Sequence, residues 1–100
     1  KLDNLVVIID KNKYQAMGKI NEILNSEFPM ISVPWNFKEI DGHDFEKIEK
    51  SLGYNKGLPL CITANTIKGK GVSFFENDNK WHYKSPYKDE YNLALKELNI

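Results

Sequence analysis

The stretch Leu5-Val6-Val7-Ile8-Ile9, closed by Asp10-Lys11-Asn12, decides the fold. Five apolar residues in a row, four of them β-branched, leave no polar face for an amphipathic helix and no alternation for a half-exposed strand. A strand that is apolar on both sides needs cover on both, which is the pattern of a central parallel strand in an α/β sheet. Two later runs repeat it more weakly: Phe37–Ile40, and Leu60–Thr66 with Pro59 at its entrance, where proline is tolerated.

The segments between these strands read as helices. Ile20–Leu24 is short and weak. Asp44 is a natural N-cap, Phe45, Ile48 and Leu52 share one helical face, and Gly53 is placed to end that helix. The last helix is expected to start at Ser85-Pro86, a cap followed by proline in the first turn. Tyr87, Tyr91, Leu95 and Leu98 form its apolar stripe, with Asp89 and Glu90 near the positive end of the helix dipole. Strand and helix in alternation imply an α/β fold: a partial, mostly parallel sheet with flanking helices. The chain enters its buried strand almost at once, after Lys1-Leu2-Asp3-Asn4, which reads as part of a larger domain.

Parallel topology has a consequence for function. Ligands of open parallel sheets bind beyond the carboxyl ends of the strands. The segments expected there are Asp10-Lys11-Asn12-Lys13, Asp41-Gly42-His43-Asp44 and Ile67-Lys68-Gly69-Lys70-Gly71, all polar or glycine-rich. That edge is the expected working face.

Composition narrows the choices. With 41% hydrophobic residues among 100, the chain can build a core and does not read as disordered. Fourteen lysines balance 14 acidic residues, so no general affinity for nucleic acid or an anionic membrane is expected. There is no arginine, which excludes a bidentate guanidinium clamp on phosphate within this chain. Phosphate would fall to lysine, histidine, backbone N–H groups or a metal ion. The single cysteine, Cys61, lies in an apolar run and reads as a buried thiol. No run approaches the ~20 apolar residues of a membrane span, and no signal peptide is evident; a cytoplasmic protein is the expectation.

Three constellations could carry chemistry. In the segment from Asp10 to Gln15, an asparagine side-chain oxygen and a nearby main-chain carbonyl are hard oxygen ligands suited to Mg²⁺ or Ca²⁺; on spacing alone the same residues read first as a plain turn. In Lys68-Gly69-Lys70-Gly71, glycine permits close backbone approach and lysine brings charge. That spacing matches neither a Walker A loop nor GxGxxG, and by itself a surface turn is the commoner outcome. His82, between Trp81 and Tyr83, could bind a polar substrate or transfer a proton, or be held simply by packing. His43 fits a turn leading into the Asp44 cap, and the two histidines and one cysteine show no zinc spacing.

In order and spacing, four stretches resemble the N-terminal section of transketolase, in the form divided between two polypeptides. They are residues 2–12 (LDNLVVIIDKN), 39–44 (EIDGHD), 66–77 (TIKGKGVSFFEN) and Trp81-His82. The resemblance implies that the whole of residues 1–100 is the C-terminal portion of a thiamine diphosphate-binding domain. In that family a Gly-Asp-Gly motif opens the cofactor signature and an asparagine closes it. Asn12 would be the closing asparagine, binding Mg²⁺ through its side chain, with Tyr14 adding its main-chain carbonyl. The metal would anchor the cofactor diphosphate. Lys68 would lie near the thiazolium and diphosphate, and His82 would face the diphosphate and donor sugar as the catalytic candidate. Ala16 stands where the family has a larger apolar residue, and Tyr83 where it has glycine after the histidine.

The implied reaction is two-carbon ketol transfer from a ketose phosphate to an aldose phosphate, as in the pentose phosphate pathway. The implied partner is a C-terminal transketolase subunit or domain, in a homodimer or heterotetramer. The Gly-Asp-Gly portion would precede Lys1, and the glutamate that activates the cofactor would lie in another domain, so this chain is not expected to be active alone. Two alternatives stay open: another thiamine diphosphate enzyme, of deoxyxylulose-phosphate-synthase or dehydrogenase type, and a non-catalytic remnant or scaffold.

Overall fold

The computed structural model describes residues 2–15, 18–19, 34–53 and 57–100. The helix expected at Ile20–Leu24, and Ala16, lie outside the described residues. The chain divides into two compact units, one drawn from residues 1–12 and 28–66, the other from 13–27 and 67–100.

The first unit is built on a three-stranded sheet of β1 (Val6–Lys11), β4 (Asn36–Asp41) and β5 (Leu60–Asn65), in the order β1-β5-β4. Both pairings are parallel, as expected. Val6 and Asn36 flank Leu60 at one end of the register; Lys11 and Asp41 flank Asn65 at the other. The central strand is β5, whose Leu60 and Ile62 are fully buried and whose Cys61 is a buried free thiol. The expectation gave that place to β1. Among the described residues β1 pairs on one side only, and its Val6 and Ile8 stay 40% and 57% exposed. Composition says that a strand can tolerate burial, but centrality depends on what pairs beside it.

Helix α1 (Phe45–Ser51) packs along β4. Asp44 caps it as expected, with extended backbone and its carboxylate accepting from the Lys47 amide at 3.1 Å. At the other end the Lys38 ammonium donates to the Ser51 carbonyl at 2.7 Å, satisfying a carbonyl that the helix leaves unpaired. The expected apolar face is only partly used. Ile48 is half-buried, but Phe45 is 87% and Leu52 48% exposed, and Ser51 is the buried residue. In so short a helix the packed stripe is set by where the helix meets β4, and Phe45 lies in the first turn, off that stripe.

The second unit carries a short antiparallel ladder, β2 (Tyr14–Gln15) with β3 (Gly18–Lys19), then a 3₁₀ turn, η1 (Asn79–His82), and helix α2 (Asp89–Glu97). Val72 and Ala94 are buried within it. An aromatic cluster braces the loop before η1: the Trp81 ring lies 4.4 Å from Phe75 and 5.8 Å from Phe74, and its indole N–H donates to the Phe74 carbonyl at 2.9 Å. Helix α2 starts three residues later than Ser85-Pro86 suggested. Lys88 adopts φ 36°, which interrupts the helical path, and the Glu90 carboxylate reaches back to cap the Tyr87 amide at 3.1 Å. Of the expected stripe, Leu95 is half-buried, while Tyr87, Tyr91 and Leu98 are exposed.

Candidate functional site

The three strands of the first unit end level, at Lys11, Asn65 and Asp41, and their carboxyl ends form one polar edge. The Asn65 amide donates to Glu39 at 2.9 Å, and the Lys11 ammonium lies 3.9 Å from the same carboxylate oxygen. Just past the last rung, the Thr66 hydroxyl donates back to the Asp10 carboxylate. Residues 41–44 are held by three bonds: Gly42 N–H to the Asn65 carbonyl at 2.8 Å, His43 N–H to the Asp41 carboxylate at 2.9 Å, and Asp44 N–H to the Asp41 carbonyl at 3.3 Å. Gly42 is required here, because a Cβ would come within 2.5 Å of the Thr66 methyl. His43 is exposed and part of this turn, as its sequence suggested.

Asn12 is the first residue past β1 on this edge and is half-buried. Lys13 follows at φ 67°, a left-handed step that turns the chain sharply before β2. Beneath the edge, between the sheet face and α1, lies a cavity of about 200 Å³ walled by Ile8, Ile40, Ile48 and Ile62, with Asp10 and Thr66 at its polar limit.

In the second unit, Tyr14, Lys68 and the turn holding His82 come together. The Tyr14 hydroxyl donates to the Asn77 carbonyl at 2.7 Å, and the Asn77 amide donates to the Lys68 carbonyl at 3.0 Å. The ladder strand β2 also packs against η1, whose last residue is His82. His82 is exposed, with its ring 6.4 Å from that of Tyr83. The cations nearby are paired. Lys80 lies 3.2 Å from Asp78 and Lys84 2.8 Å from Glu90, and both ammonium groups stand within about 5 Å of the Trp81 ring centre. Asp78 is held below the usual carboxylate range, first by the Lys80 amide that it caps. Glu90 is held low first by the Lys84 ammonium.

The glycines of the Lys68–Gly71 loop serve the loop itself. Gly69 has φ 75°, and a Cβ there would overlap the Phe75 main chain. The Lys70 amide donates to the Ile67 carbonyl at 3.1 Å and the Gly71 amide to the Glu76 carboxylate at 3.2 Å. Of the two means of holding an anion offered by this loop, lysine side chains and backbone amides, these two amides are engaged internally.

Asn77 and Glu76, though within the 66–77 stretch, and Glu97 were given no role by the sequence reading. Asn77, at φ 55°, carried a usable signal, since asparagine readily adopts left-handed turns. The partners of Glu76 and Glu97, Gly71 and Ser73, could not be guessed from local spacing.

No family model matches the chain. It is 35% identical over 105 aligned positions to an apulose-4-phosphate transketolase subunit of Phocaeicola vulgatus, covering 99% of this chain and 37% of that protein. It is 39% identical to the protein of the same name from Actinobacillus succinogenes, covering 98% and 37%. Similarity to 1-deoxy-D-xylulose-5-phosphate synthase of Geobacillus thermodenitrificans is 43% over 61 positions, but covers only 57% of the chain. The chain thus spans a little over a third of the length of the transketolase subunits it matches. With that identity extending across nearly the whole of its own length, and with the parallel α/β sheet that the resemblance requires, the chain belongs to the transketolase family.

Proposed function

We propose that this chain forms part of the thiamine diphosphate-binding region of a transketolase-type enzyme, which moves a two-carbon ketol unit from a ketose phosphate to an aldose phosphate. The observation that carries this reading is the similarity to transketolase subunits over 98–99% of the chain. The synthase alternative has similarity over little more than half of it. Relatives whose names describe one subunit of a transketolase favour a divided enzyme, in which a second polypeptide or domain supplies the remaining groups.

The donor set fits the metal in part. The Asn12 side-chain oxygen and the Tyr14 carbonyl are hard ligands appropriate to Mg²⁺. Among the described residues, no group of three or more His, Cys, Asp or Glu side chains could hold a metal ion. On the family resemblance, the remaining protein ligand would be the aspartate of the Gly-Asp-Gly segment expected before Lys1. Thiamine diphosphate, when bound, supplies the carbanion chemistry, and the protein supplies binding, orientation and proton handling. Asn12 and Tyr14 would anchor the metal, and the Lys68 ammonium would add positive charge at the diphosphate. His82, exposed at the end of η1, would orient substrate hydroxyls or move a proton.

The test is to assay the full-length protein, with the second polypeptide where one exists, for thiamine diphosphate-dependent transfer from a ketose phosphate, with pyruvate as the competing donor. Turnover of the ketose phosphate supports the transketolase reading. Turnover of pyruvate alone moves the assignment to the synthase class, and failure to bind thiamine diphosphate leaves the scaffold reading.

A further inference from the structure

We propose that the side chain of Tyr14 is a positioning residue: by anchoring its hydroxyl on the Asn77 carbonyl, it fixes its own main chain and the Lys68 loop in one arrangement. This rests on the function proposed above, in which the Tyr14 carbonyl binds Mg²⁺ and Lys68 faces the diphosphate.

Three observations within the second unit carry it. First, the Tyr14–Asn77 bond, at 2.7 Å, spans 63 positions of sequence and joins the strand directly after Lys13 to the far end of the loop that starts at Lys68. Second, Asn77 is held from its other side. Its amide donates to the Lys68 carbonyl at 3.0 Å, closing a loop of residues 68–77, and its φ of 55° turns the chain into Asp78 and η1. Third, the ladder β2–β3 is only two residues long on each side, too short to hold Tyr14 rigidly by itself. The phenol therefore supplies restraint that the backbone pairing lacks. A carbonyl that must point at a small, octahedrally demanding ion gains from it, because Mg²⁺ tolerates little error in ligand placement.

The experiment compares wild type, Tyr14→Phe and Tyr14→Leu in the full-length protein. Calorimetry measures Mg²⁺ affinity at fixed thiamine diphosphate, steady-state kinetics follow in parallel, and thermal melting monitors the fold. Tyr14→Phe keeps the ring and removes only the hydroxyl. The expected result is Mg²⁺ affinity about fivefold weaker, the factor that corresponds to one ordinary hydrogen bond. The Mg²⁺ concentration for half-maximal rate should rise by more than kcat falls. If Tyr14→Phe binds Mg²⁺ like wild type and only Tyr14→Leu is impaired, the residue acts by ring packing and the proposal is overturned. Should Tyr14→Phe fail to fold, Asn77 decides: Asn77→Ala strains the left-handed acceptor and should weaken Mg²⁺, and Asn77→Gly, which adopts that φ freely, should restore part of the loss. Equal affinity in those two variants also overturns the proposal. Wild type that binds no thiamine diphosphate would instead refute the underlying functional reading, a result distinct from a hydroxyl that makes no difference.

Discussion

Glu97, the last residue of α2, accepts two hydrogen bonds from Ser73, one from its amide at 2.5 Å and one from its hydroxyl at 2.8 Å. The pair ties the C-terminal helix to the loop that follows Lys68-Gly69-Lys70-Gly71. Gly71 itself lies against this helix end, since a Cβ there would sit 3.2 Å from Leu98.

This clasp is charge-dependent. The Ser73 amide, and then its hydroxyl, hold the Glu97 carboxyl below the usual carboxylate range. A carboxylate with a lowered native pKa contributes stability that is present above its unfolded pKa and lost as pH falls through the native value. Glu97→Gln should therefore lower the melting temperature at neutral pH, and the gap from wild type should close in acid. A gap that stays constant from neutral to acid pH would show that the carboxylate charge contributes nothing.

Gly69→Ala should cost more than the ~1 kcal/mol typical of placing alanine at an incompatible φ, because the new methyl also meets the Phe75 main chain. Gly57→Ala is the control. Its φ of 64° is similarly left-handed, but nothing lies within 4 Å of the added methyl. Denaturant unfolding of both variants separates conformational strain from collision, and equal losses would remove any role for the close approach to Phe75.

Asn12→Ala should weaken Mg²⁺-dependent thiamine diphosphate binding by roughly tenfold or more, as loss of even a supporting group at a metal costs ~10–100-fold. Titration of the full-length protein with cofactor at several Mg²⁺ concentrations measures this. Unchanged affinity would make the Asn12-Lys13 segment a turn and nothing else.

His82→Ala should reduce kcat by about 10²-fold, the lower range for loss of a general acid or base, and weaken cofactor binding far less. Its exposure means that the change leaves no cavity, so folding should be little affected. A variant that turns over at the wild-type rate would reduce His82 to a surface residue.

Much of the sheet was legible because its signals are local. Leu5–Ile9 and Leu60–Thr66 announce parallel strands by their apolar runs, and they appear as Val6–Lys11 and Leu60–Asn65, although only the second is buried. Asp44 announced a helix start because an N-cap bond spans three residues. The Ser85-Pro86 signal failed because the Glu90 carboxylate and the left-handed Lys88 moved the start of α2.

By itself, then, the order of residues determined the α/β class, the parallel strand direction, the family and the Asp44 cap, since each is carried by a local pattern: apolar runs, strand and helix in alternation, short motifs, or a cap bond three positions long. Tertiary structure alone decided that β5 rather than β1 is central, and that the loop glycines make room for Phe75 and Leu98. It alone decided that Tyr14 meets Asn77 and Ser73 meets Glu97, 63 and 24 positions apart. Such pairings follow from how the chain closes on itself, and no local pattern in either partner encodes the other.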